Sequence, residues 1–258
     1  MSEHESPEVF GARRVSFGAF AATYDAVRPE WPAETVAWML GSPQAGVVCR
    51  VVDLGAGTGK GTRAIATLGH EVSAVEPSDG MRGALASSLV DLPEEVAGRI
   101  SSIAGGAEDI PLQTGTFDAV TAFQSWHWFD AEAASVECAR VLRPGGWLAM
   151  GWHHRSENVE WSRELSDIVE RPETQGNDRE APPVTPDFEP YETARLNYGM
   201  WQSVDDVVRH ASTWSYVALH RERERVLDEV GALGRRVADG RGMVEIPMTT
   251  RCYRLRRR

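Results

Sequence analysis

The run Asp53-Leu54-Gly55-Ala56-Gly57-Thr58-Gly59-Lys60-Gly61-Thr62 has the residue types that hold a small ligand through the backbone. Glycine has no Cβ, so alternating glycines let a chain turn tightly and let a ligand come close. A helix that starts at the end of such a turn adds unpaired N–H groups and a partial positive charge, which suit a carboxylate or a phosphate. Two familiar forms of this device fail on spacing. A Walker loop needs Gly, four residues and then Gly-Lys-Ser/Thr, but Gly59-Lys60 is followed by Gly61, and Leu54 stands where the first Gly should be. A dinucleotide fingerprint needs G-x-G-x-x-G, and its last position falls on Lys60 or Thr62. What remains is D-x-G-x-G-x-G, with an acid, Glu76, at the end of the next apolar run.

These residues need particular elements to position them. Val47 to Leu54 is β-branched and mostly apolar, as a strand buried on both faces should be. A helix follows the glycines to about Leu68. A second strand spans Glu71 to Glu76, and a helix with Ser78 as its cap spans Asp79 to Leu89. Strands at Arg99–Ala104 and Phe117–Phe123, a helix at Ala131–Leu142, a Pro144-Gly145-Gly146 turn and a strand at Trp147–Trp152 complete an alternating βαβ series. Helices are expected near Phe17–Ala26 and Ala33–Leu40 before it, and near Asn158–Glu170, Val204–Ala211 and His220–Ala238 after it. Further strands are expected near Thr193–Trp201 and Val244–Leu255. The Pro-rich, acidic stretch from Arg171 to Pro190 reads as a surface loop.

Composition narrows the function. The chain has 258 residues, 42% of them apolar, enough for a sizeable core, and no uncharged apolar run near the length of a membrane span. Its formal net charge of −11 has the wrong sign for tracking a phosphate backbone, so neither nucleic acid nor membrane is expected as a partner. The acidic N-terminus has no apolar segment behind a basic start, so no secretory signal is expected. Cys49, Cys138 and Cys252 are far apart and show no metal spacing, which points to a reducing, cytoplasmic setting with neither disulfide nor metal. Five arginines among the last eight residues read as solvated charge beside a final strand.

The ordered motifs resemble class I S-adenosylmethionine-dependent methyltransferases. The glycine run looks like motif I, and Val75-Glu76-Pro77-Ser78-Asp79-Gly80-Met81 like the second motif. The resemblance implies that the carboxylate of Glu76 accepts both ribose hydroxyls, which its two oxygens suit, and that Met81 packs on the adenine. Gly105-Gly106-Ala107-Glu108-Asp109-Ile110-Pro111-Leu112 resembles the segment that reads the adenine edge. Many members carry Asp where this chain has Gly106, which leaves Glu108 or a backbone carbonyl as the acceptor. Phe117 to Gln124 looks like motif IV, and Leu142 to Leu148 like the late turn-and-strand motif. The implied cofactor is S-adenosyl-L-methionine, held by Asp53, Gly55, Ala56, Gly57, Glu76, Pro77, Met81, Ala107, Glu108 and Gln124.

Flanking segments resemble the type-11 branch, which includes relatives of trans-aconitate methyltransferase. The opening Phe17…Tyr24…Arg28-Pro29-Glu30-Trp31-Pro32 and the segment Gln124-Ser125-Trp126-His127-Trp128-Phe129-Asp130 carry that likeness. Tyr24 is expected to bond the methionine end of the cofactor or to close a lid. Arg28 can pair with a substrate carboxylate, or with a neighbouring acid. His127 can take a proton from a hydroxyl acceptor, or simply hold its loop. Trp126 and Trp128 can wall an apolar pocket, or belong to the core. The segment lacks the N/D-P-P-Y/F/W motif of enzymes that methylate exocyclic amines.

The expected fold is a Rossmann-like α/β architecture: a seven-stranded, mostly parallel sheet with an antiparallel last strand and a helical cap. Residues 1–42 form an N-terminal cap, 43–153 the cofactor-binding core, and 154–258 a cap insertion with the last two strands. The expected reaction is methyl transfer to a small-molecule acceptor, at a carboxylate or hydroxyl oxygen. The alternatives are a protein or RNA methyltransferase using the arginine-rich tail, and a cofactor-binding module without activity.

Overall fold

The computed structural model describes residues 25–170 and 182–258. The chain divides into two compact units. One comprises Pro29–His154, Asn177–Tyr198 and Met248–Arg258, and the other Met1–Arg28, Arg155–Gly176 and Gly199–Pro247.

In chain order the elements are α1 (Ala33–Met39), β1 (Arg50–Leu54), α2 (Lys60–Thr67), β2 (Glu71–Val75), α3 (Asp79–Ser88), α4 (Glu94–Ala97), β3 (Ile100–Ile103) and β4 (Phe117–Phe123). A 3₁₀ turn at Trp126–Trp128 leads to α5 (Ala131–Val141), β5 (Leu142–Arg155), α6 (Glu160–Ile168), β6 (Glu192–Ser203), α7 (Val204–Ser212), α8 (Ser215–Ala218), α9 (Arg223–Val237) and β7 (Met243–Arg256). The seven strands form one sheet in the order β3-β2-β1-β4-β5-β7-β6.

The pairs β1–β2, β1–β4, β2–β3 and β4–β5 are parallel. Strand β7 runs against β5: the amide of Gly145 donates to Arg257, whereas that of Ser156 donates to Pro247. It also runs against β6, since Asn197 meets Thr249 and Glu192 meets Arg254. The expected antiparallel last strand is therefore present.

Alternation of strands and helices covers both faces of the parallel part, so β1 is apolar on both sides. Val52 and Leu54 enter one fully buried cluster with Val120, Leu148 and Met150. Val51 enters the other with Val36, Met39, Ile65 and Ala149. Strand order reverses between β1 and β4, which opens a crevice beyond their C-terminal ends. The glycine run leaves β1 at that place.

Two expected boundaries differ. Strand β1 begins at Arg50 rather than Val47, because pairing starts at Arg50↔Glu71, and Val47 and Val48 are half exposed. The expected turn at Pro144-Gly145-Gly146 lies inside β5 instead. A register shift between Phe117 and Ala119 absorbs it, and Gly145 and Gly146 pair with Arg257. Residues 17–24 of the first expected helix lie outside the described residues, as do residues 171–181 of the Pro-rich stretch.

In the second unit, α9 packs on α6 and α7. Buried His210 joins Gln202, whose Nε2 donates to the carbonyl of Val27 at 2.7 Å. Burial, with Arg28 and Arg155 nearby, pushes the imidazole of His210 well below its ordinary range.

Candidate functional site

Three backbone contacts shape the turn after β1. The amides of Gly55 and Ala56 donate to the carbonyl of Val75, at 2.9 and 3.3 Å, which ties the turn to the end of β2. Gly57 then donates to Glu76 Oε2 at 3.0 Å, and Ser78 to Glu76 Oε1 at 2.9 Å. The carboxylate of Glu76 is thus fixed at the β2 end with one bond to each oxygen. Each oxygen has a second lone pair, so two further donors can be accepted.

Glycine is required at this turn for two different reasons. Gly55 has φ of 63°, and a Cβ there would lie 2.8 Å from Cβ of Ser125. Gly57 has φ of 58°, but its Cβ would meet nothing closer than 4.0 Å. The turn is therefore packed from below at Gly55 and open at Gly57, which leaves the space a ligand needs next to the Glu76 carboxylate. Helix α2 follows with Gly59 as its N-cap, no side-chain cap and no acid in the first turn, so its N-terminus stays available to an anionic group.

Asp53 lies beneath the turn, 1% exposed. Thr62 Oγ1 donates to its Oδ2 at 2.6 Å, and Thr121 Oγ1 stands 3.3 Å from both Oδ1 and the carbonyl of Val52. Burial, aided by the nearby charge of Glu76 and opposed by the hydrogen bonds of both threonines, raises its carboxyl to about 7. Its oxygens serve β4 and α2, which supports the turn from behind.

The loop after β3 is held by α5. Glu137 accepts from the amide of Ile110 at 2.8 Å, while Arg140 donates to the carbonyls of Ile110 and Leu112 at 2.7 and 2.8 Å. That loop places Ala107 in the core and leaves Glu108 exposed, with Oε1 accepting from the Asp130 amide at 3.0 Å. Met81 is buried at the start of α3, and Ser78 caps that helix as expected. Pro77 is exposed.

Gln124 ends β4 with φ of 57°, a left-handed conformation that is strained for a residue with a Cβ. It is held because its amide donates to Gly151 and its Nε2 to the carbonyl of His153, at 2.9 and 3.2 Å. The strain redirects the chain into the Trp126–Trp128 turn. Ser125 then donates to the carbonyl of Leu54 at 2.7 Å, so this turn abuts the glycine turn.

The structure separates the aromatic candidates. Trp126 is 3% exposed, a member of the core, and its Nε1 has no partner. Trp128 is half-buried and His127 exposed. His127 Nδ1 accepts from Trp152 Nε1 at 3.2 Å. Arg28, in the other unit, donates to Oγ1 and the carbonyl of Thr213, both at 3.2 Å. Tyr24 lies outside the described residues.

Several contributors were not singled out in the sequence. Trp152 and Thr121 act through partners far along the chain, and Thr62 through Asp53 at the head of the same glycine run. Lys60, the only lysine in the sequence, is buried on α2 and pairs with Glu30. His153 stacks on Trp31 with ring centres 3.9 Å apart, and its Nδ1 stands 2.7 Å from Thr250 Oγ1.

Comparison with known proteins agrees with this geometry. A family model described as a methyltransferase domain matches residues 52–150. An uncharacterised methyltransferase of Mycobacterium tuberculosis is 36% identical over 249 residues, covering 93% of this chain and 95% of its own. A malonyl-[acyl-carrier protein] O-methyltransferase of Methylococcus capsulatus is 36% identical over 143 residues, 52% of this chain and 49% of its own. Among solved structures, a protein of Anaeromyxobacter dehalogenans provisionally assigned as a type II methyltransferase superposes with a TM-score of 0.61. It is 24% identical, and the match covers 89% of this chain and 97% of that one.

Proposed function

The chain belongs to the class I S-adenosylmethionine-dependent methyltransferases, and from that premise we propose that it transfers the methyl group to an oxygen of a small molecule. One observation carries the reading. The open side of Gly57 stands next to a Glu76 carboxylate with unused lone pairs, and Ser125, at the head of the Trp126–Trp128 turn, abuts the same glycine turn. That arrangement supports a reading in which the cofactor cradle lies beside the acceptor side of the site.

When bound, S-adenosylmethionine supplies a methyl group already activated on a sulfonium. Gly55, Ala56 and Gly57 give the close backbone approach, and Glu76 accepts from the ribose. Met81 and Ala107 offer apolar surface to the adenine, with Glu108 as the acceptor that Gly106 does not provide. Pro77 and Gln124 shape the ends of the cradle, and Asp53 stiffens it from below. With the leaving group activated, placement and exclusion of water do most of the work. His127 and Trp128, on the turn after β4, are the proposed acceptor-side residues, whereas Trp126 contributes from the core. Arg28 is the guanidinium proposed to pair with a substrate carboxylate.

An oxygen acceptor fits the absence of the N/D-P-P motif after β4, and the Methylococcus relative is named for O-methylation. A cytoplasmic setting suits Cys49, Cys138 and Cys252, all free and buried, with burial pushing the Cys252 thiol up to about 12. No helix among the described residues is long and apolar enough to cross a membrane. The tail offers no support for a protein or RNA substrate, because Arg254, Arg256, Arg257 and Arg258 all donate to carbonyls of the chain itself.

Calorimetric titration with S-adenosylhomocysteine tests the cradle, and transfer of labelled methyl to a panel of small acids, phenols, alcohols and amines tests the reaction. Micromolar binding followed by label on an oxygen is expected. A folded protein that binds no S-adenosylhomocysteine refutes the reading, and binding without turnover on the whole panel favours a module without activity.

A further inference from the structure

The turn after β4 buries a donor that the chain does not satisfy. Trp126 is 3% exposed, and among the described residues nothing accepts a hydrogen bond from its Nε1. An indole can only donate, so no other arrangement of its proton relieves this. Buried donors are almost always paired, because one taken out of water without a partner forfeits the bond it made there. Phe129 stands edge-on to the indole, with ring centres 5.8 Å apart, and a π face is a weak substitute for an oxygen or nitrogen acceptor. Folded proteins break this rule chiefly at functional sites.

The surroundings of the indole indicate the ligand. Ser125, before it, donates to the carbonyl of Leu54, and Cζ of Phe129, after it, would lie 3.1 Å from a Cβ on Gly55. Both neighbours therefore abut the glycine turn. Trp126 itself belongs to the buried cluster that joins Leu54 and Val75, at the ends of β1 and β2, to Ala107 and Ile110 in the loop after β3. Chemistry narrows the choice further. On the cofactor, the carboxylate is charged and the ribose hydroxyls donate to Glu76. A neutral donor among apolar side chains suits a neutral acceptor on a flat, mostly apolar group, and the adenine ring nitrogens are of that kind.

We propose that Trp126 is a cofactor-binding residue, and that its Nε1–H donates to a ring nitrogen of the adenine. This rests on the reading of the glycine turn and Glu76 as the cradle of S-adenosylmethionine. The consequence is selectivity. A base with C–H in place of that nitrogen leaves the donor buried and unpaired, so the site binds it less well.

The test observes the indole in the ¹⁵N-labelled full chain. The wild type is titrated with S-adenosylhomocysteine and with its 1-deaza, 3-deaza and 7-deaza analogues, each of which replaces one ring nitrogen by C–H. The Trp126 signal is assigned by its loss in Trp126→Phe or, where that variant fails to fold, by its proximity to the Phe129 ring. It is expected to move downfield when S-adenosylhomocysteine binds, and to keep its free position with one of the analogues. In calorimetry that analogue is expected to bind the wild type about tenfold more weakly than S-adenosylhomocysteine, as loss of an ordinary hydrogen bond predicts. Folded Trp126→Phe is expected to bind S-adenosylhomocysteine about tenfold more weakly and to distinguish the two ligands no longer.

An indole signal unmoved by bound S-adenosylhomocysteine overturns the proposal. So does one moved equally by every analogue, or one already downfield in the free protein. A folded Trp126→Phe that still rejects the same analogue overturns it as well, because another donor then reads that nitrogen. Absence of any S-adenosylhomocysteine binding removes the proposed function, whereas binding with a silent indole removes this proposal alone.

Discussion

Asp53→Asn isolates one buried proton. The carboxyl lies 1% exposed between β1, β4 and α2, and burial lifts it to about 7 from an ordinary value near 4. The carboxyl accepts from Thr62 and from Thr121, and the Thr121 hydroxyl also lies within reach of the carbonyl of Val52, which can take its proton when the acid itself carries one. Asparagine copies that pattern, with its amide nitrogen in place of the protonated oxygen. The sign follows from proton counting. Between the two values the unfolded chain has lost the proton and the folded chain keeps it, so wild-type stability falls as pH rises and levels off above about 7.

The gap of about three units, at about 1.4 kcal/mol each, sets a ceiling of about 4 kcal/mol on this loss. Between about pH 5 and pH 8 the part still to fall is ~2–3 kcal/mol. The variant has no such proton. Urea unfolding of both proteins across that range should show the asparagine variant gaining on the wild type by that amount as pH rises, with no further gain above about pH 8. His210 works in the opposite sense, since its depressed imidazole costs stability as pH falls below about 6.5, but it is common to both proteins and cancels in the difference. Parallel curves for the two proteins would refute the assignment of a buried, proton-carrying Asp53.

Other perturbations probe other parts of the argument. Glu76→Ala removes the acceptor beside Gly57 and should weaken S-adenosylhomocysteine binding by about 1–3 kcal/mol in calorimetry; unchanged affinity would free the ribose from this residue. Gly61→Ala would set a Cβ 2.1 Å from the Phe123 ring, so overpacking of about 1–3 kcal/mol should exceed the gain of about 1 kcal/mol in helix propensity and lower the melting temperature. Arg254→Ala removes a guanidinium placed 4.3 and 4.5 Å from the Trp38 and Trp147 ring centres and should cost roughly 1–2 kcal/mol, with Arg254→Lys recovering part. Glu137→Ala releases the amide of Ile110 and should raise hydrogen exchange through residues 105–112 before it affects global unfolding.

Much of the cradle is set by local sequence. The apolar run into Asp53 demands a buried strand, and the glycines after it demand a tight turn that only residues without a Cβ can make. Glu76 follows one helix and one strand later, so parallel pairing of β1 with β2 brings it alongside Gly57. Ser78 as a helix cap and the places of most strands belong to the same class, because capping and hydrophobic period act over a few residues, whereas the arrangement of the seven strands was implied by the resemblance to the methyltransferases.

The rest depended on contacts that no local window contains. Trp126 and Trp128 are two residues apart and chemically alike, yet one is core and the other half-buried, because a 3₁₀ turn sends them to different surroundings. The tail arginines read as solvated charge, but Arg254 inserts between Trp38 and Trp147 and Arg257 reaches the carbonyl of Leu142. Asp53 stands in the glycine motif as a cofactor-binding acid, and only folding sets Thr62 and Thr121 against its oxygens. His127 reads as a possible base or as a residue that holds its loop, and only folding brings Trp152 Nε1 to 3.2 Å from its Nδ1. In this protein the sequence alone determined where the backbone turns and which groups stand at the turn. Which partners those groups meet was decided by residues outside the local run of sequence, through hydrogen bonds and burial that exist only once the sheet has formed.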